Sequence, residues 1–196
     1  MEEATAQTRA VLDFWFLPAD HAGYGAYRPE WFRKDDAFDA AIRESFGAFV
    51  EVALAEPAGE GSDETLLARI LLLDQFTRNV FRGTPRAFAG DAQALQIAES
   101  LVTAGRDKNL SPWQRWFAYL PFEHSESLLD QERSVALFAA LRREMRHEAF
   151  DSAYDYAQRH RDVIVRFGRF PHRNAILGRE STIEEIEFLK QPGSSF

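Results

Sequence analysis

Apolar side chains recur along this chain at steps of three and four and nowhere keep up an alternation of two, so helices are the regular structure it can form. Phe38, Ile42, Phe46, Phe49, Val50 and Leu54 make one such stripe. Val11, Leu12, Trp15 and Phe16 make another, ended by Pro18, and Leu66, Leu67, Ile70 and Leu71 a third. Further stripes follow at Leu95 to Val102, Trp113 to Leu120, Val135 to Leu141, Phe150 to Phe167, and Ile186 with Leu189. Start signals stand where they should: Asp35 or Asp36 and Asp91 as caps, Asp63 at the start of its helix, Ser111 with Pro112, and the box spacings Ser127 to Asp130 and Thr182 to Glu185. Pro57 and Gly105 read as stops, and Pro121 should kink or end its helix. The aromatic segment Tyr24 to Phe32 reads as a loop packed over the core. No linker divides residues 1–196, so the expectation is one all-α domain of about eight helices, paired as antiparallel hairpins by short loops.

A chain of 196 residues buries roughly 70% of its unfolded surface, and 17 Phe and 4 Trp promise an aromatic core. The net charge of -8 argues against a nucleic-acid partner, which calls for a basic face. With no cysteine, thiol catalysis, disulfides and Cys-ligated metals are excluded. The opening MEEATAQTRAVLDFWF is acidic and lacks the basic and apolar regions of a signal peptide, and no apolar run approaches the ~20 residues that span a bilayer. A soluble cytoplasmic protein with no membrane partner is expected.

Three polar clusters interrupt the apolar faces. Asp74, Gln75, Arg78 and Asn79 form the first; Asp74 stays in register with Leu67, Ile70 and Leu71, and Arg78 lies one turn on. Glu123, His124, Ser125 and Glu126 form the second, just after Pro121. The third runs from His160 to Glu180 and holds five arginines, two histidines, an aspartate and an asparagine. His160 lies three after Ala157 and four before Ile164, so it points inward, whereas Arg161 and Arg179 are expected to face solvent or a cap. His172, Arg173 and Asn174 project from a backbone stiffened by Pro171.

Each cluster admits a structural reading, in which buried charges pair to lock helices together, and a functional one. In the functional reading Arg78, Arg166 and Arg173 line a pocket with His124, His160 and His172, floored by Trp113 and Trp116, and receive a small anion such as a phosphate or carboxylate. Asp74, Glu123 and Asp162 would then orient the cations, with Asn79 and Asn174 completing the ligand-binding set. His160 or His172 would be the general acid or base, because imidazole titrates near neutral pH. Ser125 beside His124 is no triad, since neighbours on a helix face apart. The string His160-Arg161-Asp162 lacks every other part of a kinase site. His124, His160, His172 and Glu123 have no fixed metal-ligand spacing, so neither a metal nor another cofactor is expected.

Several phrases are long enough to bear a family likeness: LDQFTRNVFRGTPRAF (Leu73 to Phe88), YLPFEHSE (Tyr119 to Glu126), DQERSVALF (Asp130 to Phe138) and HRDVIVRFGRFPHRNAILGREST (His160 to Thr182). With VLDFWF they resemble the bacterial family catalogued as domain of unknown function 924, over nearly the whole chain. The resemblance implies a tetratricopeptide-like fold, antiparallel hairpins in a right-handed superhelix, and implies no activity. The family usually has Pro where this chain has Thr77, so the helix there is expected to run further, and the segment after Glu56 looks shortened. Three classes of function follow: a small-molecule binding protein or enzyme with an internal anion pocket, a tetratricopeptide-like module for a protein partner, or a protein whose clusters are purely structural.

Overall fold

The computed structural model describes residues 2–195. Its helices are α1 (Glu2–Phe16), α2 (Asp36–Ala55), α3 (Asp63–Ile70), α4 (Thr77–Val80), α5 (Asp91–Thr103), α6 (Pro112–His124), α7 (Leu128–Glu144), α8 (Glu148–Phe167) and α9 (Ile183–Leu189). A π-helical turn, Leu71–Phe76, joins α3 to α4 without a break, so that run counts as one helix of eight, and no strand occurs among the described residues. Helices α6, α7 and α8 pack in succession through three-residue connections, which turn each antiparallel to the last. No helix among the described residues is long and apolar enough to cross a membrane.

Most caps fall where the sequence puts them. The Asp35 carboxylate accepts the N–H groups of Ala37 and Phe38, and Ser111 and Thr182 each form a reciprocal capping box. Three details differ. Gly90 rather than Asp91 occupies the N-cap of α5, which leaves the Asp91 carboxylate for other partners. Ser127 caps α7, but the Asp130 side chain takes the Ser125 hydroxyl instead of closing the box. Pro121 neither ends nor breaks α6, which continues to His124 and stops only where Ser125 turns extended. The carbonyls there are satisfied by one buried amide: Gln131 Nε2 donates to Glu123 O at 2.6 Å and Ser125 O at 2.7 Å, with Phe122 O at 3.3 Å.

The core is aromatic, as the composition requires. Phe117 meets Trp31 at 5.0 Å, Trp15 at 5.4 Å and Phe16 at 5.6 Å between centroids, which nails α1 and the aromatic loop to α6. In that loop Trp31 is buried and its indole N–H donates to Trp15 O, while Tyr27 and Phe32 stay partly exposed. Trp113 stacks on Phe150 at 4.5 Å and ties α8 to the same centre. A smaller cluster of Val163, Ile164 and Phe170 holds the segment that follows α8.

The π turn is held from outside by a close backbone approach. A Cβ added at Gly90 would lie 2.2 Å from Leu73 O, so no other residue fits without moving α5 off the turn. The same carbonyl accepts the Thr77 hydroxyl at 2.8 Å, and from Thr77 the helix runs on through Val80. Gly90→Ala should therefore cost about 1–3 kcal/mol or more, as overpacking against backbone does. Urea unfolding measures it; a loss within ~0.5 kcal/mol, as at an ordinary surface site, would show that the approach carries no constraint.

Candidate functional site

Passing through the core, the π turn buries all six of its residues, and Asp74 is 0% exposed. A carboxylate in that position must be fully partnered to stay charged. Its Oδ1 lies 2.6 Å from His124 Nδ1 and 3.3 Å from an Arg78 nitrogen, and its Oδ2 accepts Gln75 Nε2 at 2.6 Å. Burial alone would raise the Asp74 pKa; His124 and Arg78 overcome this and hold it below the usual carboxylate range. Burial, then the Arg78 charge, lower the pKa of His124 against the pull of Asp74. The ring is thus neutral at neutral pH, with Nδ1–H donating to the carboxylate and Nε2 left as the basic nitrogen.

Arg78 is a shared cation. Beyond Asp74 it forks onto Asp91 at 2.9 and 3.1 Å, and the other oxygen-side neighbour of Asp91 is Arg173 at 3.3 Å. The Arg173 guanidinium lies 4.5 Å from the Phe170 ring centroid and 4.8 Å from that of Phe88. Burial, then Arg78, bring its pKa down to about 10, so it stays charged at neutral pH.

Glu123 follows a different course one residue before His124. It is 4% exposed; its Oε1 lies 3.2 Å from His160 Nδ1, and its Oε2 is buried with no hydrogen-bond partner. Burial, then the Asp74 charge, push its pKa up to about 8. His160 goes the other way, to about 3, chiefly through burial. The pair sits within ion-pair distance, yet both members are neutral at pH 7. Because Tyr156 O, 2.9 Å from His160 Nδ1, can only accept, that nitrogen carries the hydrogen.

Part of this network lines a cavity of about 730 Å³, while Asp74, Asp91 and Arg173 stay out of its lining. One part of the lining is polar, made by Gln75, Arg78, Glu123, His124 and His160; another is aromatic, made by Tyr27, Phe32 and Trp116, and Tyr156 also belongs to the lining. The structure thus brings together Asp74, Arg78, Glu123, His124 and His160, drawn from all three clusters of the sequence.

Other expected site residues lie elsewhere. Arg166 is on the surface, paired with Glu184, because position 166 is six residues past His160 and turns to another face of α8. Asn79 binds Asp39, which Arg82 also holds, on the α2 side of the molecule. Asn174 is buried but spends its side chain on Ser181 and Arg179. His172 and Arg173 stand behind the cavity and do not line it; burial and Arg173 lower the His172 pKa to about 4. Asp162 binds Arg161, and Trp113 spends its indole N–H on Gly25 O, so neither serves the cavity. Arg179, expected at the surface or a cap, clasps Glu126 at 2.7 and 2.9 Å and also reaches Phe170 O. Among the described residues no group of three His, Asp or Glu is placed to hold a metal ion. Sequence reasoning missed Asp91, whose capping position masked its role as counterion, and Tyr156, whose signal is its place one turn before His160.

The titrations have opposite signs. Between about pH 4.5 and pH 8 folded Glu123 keeps a proton that the unfolded chain has lost, so this residue makes stability fall as pH rises through that window. Glu123→Gln should gain on the wild type by up to ~1.4 kcal/mol per pH unit there. His160, neutral when folded, costs stability as pH falls from 6.5 toward about 3, and His160→Asn should flatten that acid limb. Denaturant midpoints across pH 4 to 8 test both; a Glu123→Gln difference that does not change with pH would mean the carboxyl is ionised in the fold.

Residues 11–193 match the family described as "Bacterial protein of unknown function (DUF924)". A solved structure titled "Structure of Protein of Unknown Function ATU0120 from Agrobacterium tumefaciens" is similar, with 35% identity and a TM-score of 0.74 over 95% of this chain and 98% of that one. No curated protein matches the chain. By the extent of the family match and by the fold it shares with that bacterial relative, the chain belongs to the DUF924 family.

Proposed function

We propose that the cavity is a small-molecule site with acid–base capability. The observation that carries this reading is a pair of carboxyls in unlike states: Glu123, which lines the cavity and is driven to its neutral form, and Asp74, buried out of the lining against His124 and held ionised. Carboxyls pushed apart in this way can divide the two halves of a proton transfer. His124 Nε2 is the base, oriented and made more basic by Asp74 through Nδ1–H. Glu123 is the acid, delivering its proton to an oxygen of the bound compound. Gln75 holds the second oxygen of Asp74 and so fixes the carboxylate on which the base depends.

This differs in two ways from the role suggested by the histidine-rich segment. His160, neutral down to about pH 3, supports Glu123 rather than titrating at neutral pH, and His172 lies outside the lining. The arginines also count differently. Arg78 and Arg173 are balanced by Asp74 and Asp91, so the site offers an anion less than its arginine content suggests. A protein-binding module draws less support, because the distinctive polar groups gather in the lining of one cavity.

A library of small metabolites screened by thermal shift tests the reading. Compounds that stabilise the wild type and the Arg166→Ala control, but not Glu123→Ala, are expected. In D2O the wild type should exchange a carbon-bound hydrogen of such a compound, and His124→Ala should slow this by about 10²-fold or more. Hits whose exchange and turnover ignore both His124→Ala and Glu123→Gln would reduce the cavity to a binding site without acid–base chemistry.

A further inference from the structure

The cavity has two unlike sides, and their chemistry narrows what fits. On the aromatic side the rings are nearly parallel: Phe32 lies 5.2 Å from Trp116 with 29° between planes, and Tyr27 lies 6.4 Å from Trp116 with 28°. Phe32 and Tyr27 are 48% and 39% exposed, so part of this surface is still uncovered. Such surface gains most by covering itself with another flat, apolar ring. On the polar side, Glu123 Oε2 is buried with no hydrogen-bond partner. Leaving a buried polar atom unsatisfied is costly, and a ligand group at that place would remove the cost.

The charge balance then selects between a neutral and an anionic ligand. Arg78 divides its donors between Asp74 and Asp91, and Arg173 also turns to Asp91. An incoming carboxylate or phosphate would lose its hydration, find its cations already spoken for, and approach the Asp74 carboxylate. An amide or carbonyl oxygen has no such penalty and accepts a hydrogen bond where Glu123 can donate one.

We propose that the cavity takes a flat, uncharged ring compound bearing an amide or carbonyl group, the ring against Trp116 and Phe32 and the oxygen at Glu123. This inference rests on the acid–base reading of the cavity and names the substrate class for it. A carbonyl held in this way would be polarised by the Glu123 proton, with the adjoining position open to the His124 base.

Benzamide and benzoate test the idea, because they share a shape and differ in charge. Their binding is read at pH 6.5 from the Trp116 indole NMR signal, assigned with Trp116→Phe. A ligand of this size is expected to bind at a Kd on the order of 1 mM. Benzamide should shift the Trp116 signal, with benzoate weaker by about tenfold or more. Glu123→Ala should weaken benzamide by about tenfold, the worth of one good hydrogen bond, while Glu123→Gln, which keeps a donor, stays within about threefold of wild type. Should Glu123→Ala fail to fold, the Glu123→Gln protein and the benzamide-to-benzoate ratio still decide the matter. Benzoate binding as tightly as benzamide overturns the uncharged class while leaving the acid–base reading intact. Saturating benzamide that leaves Trp116 unmoved overturns the class as well, and the metabolite screen then judges the acid–base reading by itself.

Discussion

Everything distinctive about this molecule depends on one buried carboxylate. Asp74 sits at zero exposure inside a helix that crosses the core, where an unpaired charge would be among the most costly groups a protein can bury. Its partners follow from that requirement. Arg78 supplies the charge, His124 and Gln75 supply hydrogen bonds, and Arg78, itself half-buried, takes a second acid in Asp91. Asp91 in turn draws in Arg173 from the segment beyond α8. A chain of charge satisfaction thus links the π turn, α5, α6 and the C-terminal segment, which no apolar contact alone would align so specifically.

Backbone geometry makes that chain feasible. A regular α-helix has its side chains fixed at about 100° intervals, whereas the wider turn at Leu71–Phe76 lets Asp74 and Gln75 serve the same cluster from adjacent positions. Gly90 allows α5 to press against Leu73 O, and this brings Asp91, the next residue, onto Arg78. The widened turn and the glycine are therefore parts of one arrangement that places a counterion.

Much of the fold was legible in the sequence because it rests on local rules. Stripes at three and four, the Ser111 cap, the Thr182 box, and the inward face of His160 each need only a short window. Asp74 stood out for the same reason, as an acid in register with leucines. What stayed hidden depends on residues far apart in the chain: Asp91 lies 82 positions from Arg173, and Glu126 lies 53 from Arg179. Pro121 does not end its helix, and the true end, three residues on at His124, depends on Gln131, which takes the last carbonyls from the next helix. Arg166 is another matter; six positions from His160 is about 240° around a helix, so its outward direction was readable and the density of arginines obscured it.

The division of labour between Glu123 and His124 has a geometric cause. Neighbours on a helix point about 100° apart, so the last turn of α6 aims Glu123 at α8 and His124 at the π turn. One side chain meets a neutral imidazole and little else; the other meets a charged carboxylate. Their environments diverge, because one supporting element presents a neutral ring and the other an ionised carboxylate. Two titratable groups joined by a single peptide bond thereby face one cavity from unlike environments, the arrangement on which the proposed acid and base roles rest. The helix fixes the directions, and the buried Asp74 fixes the difference.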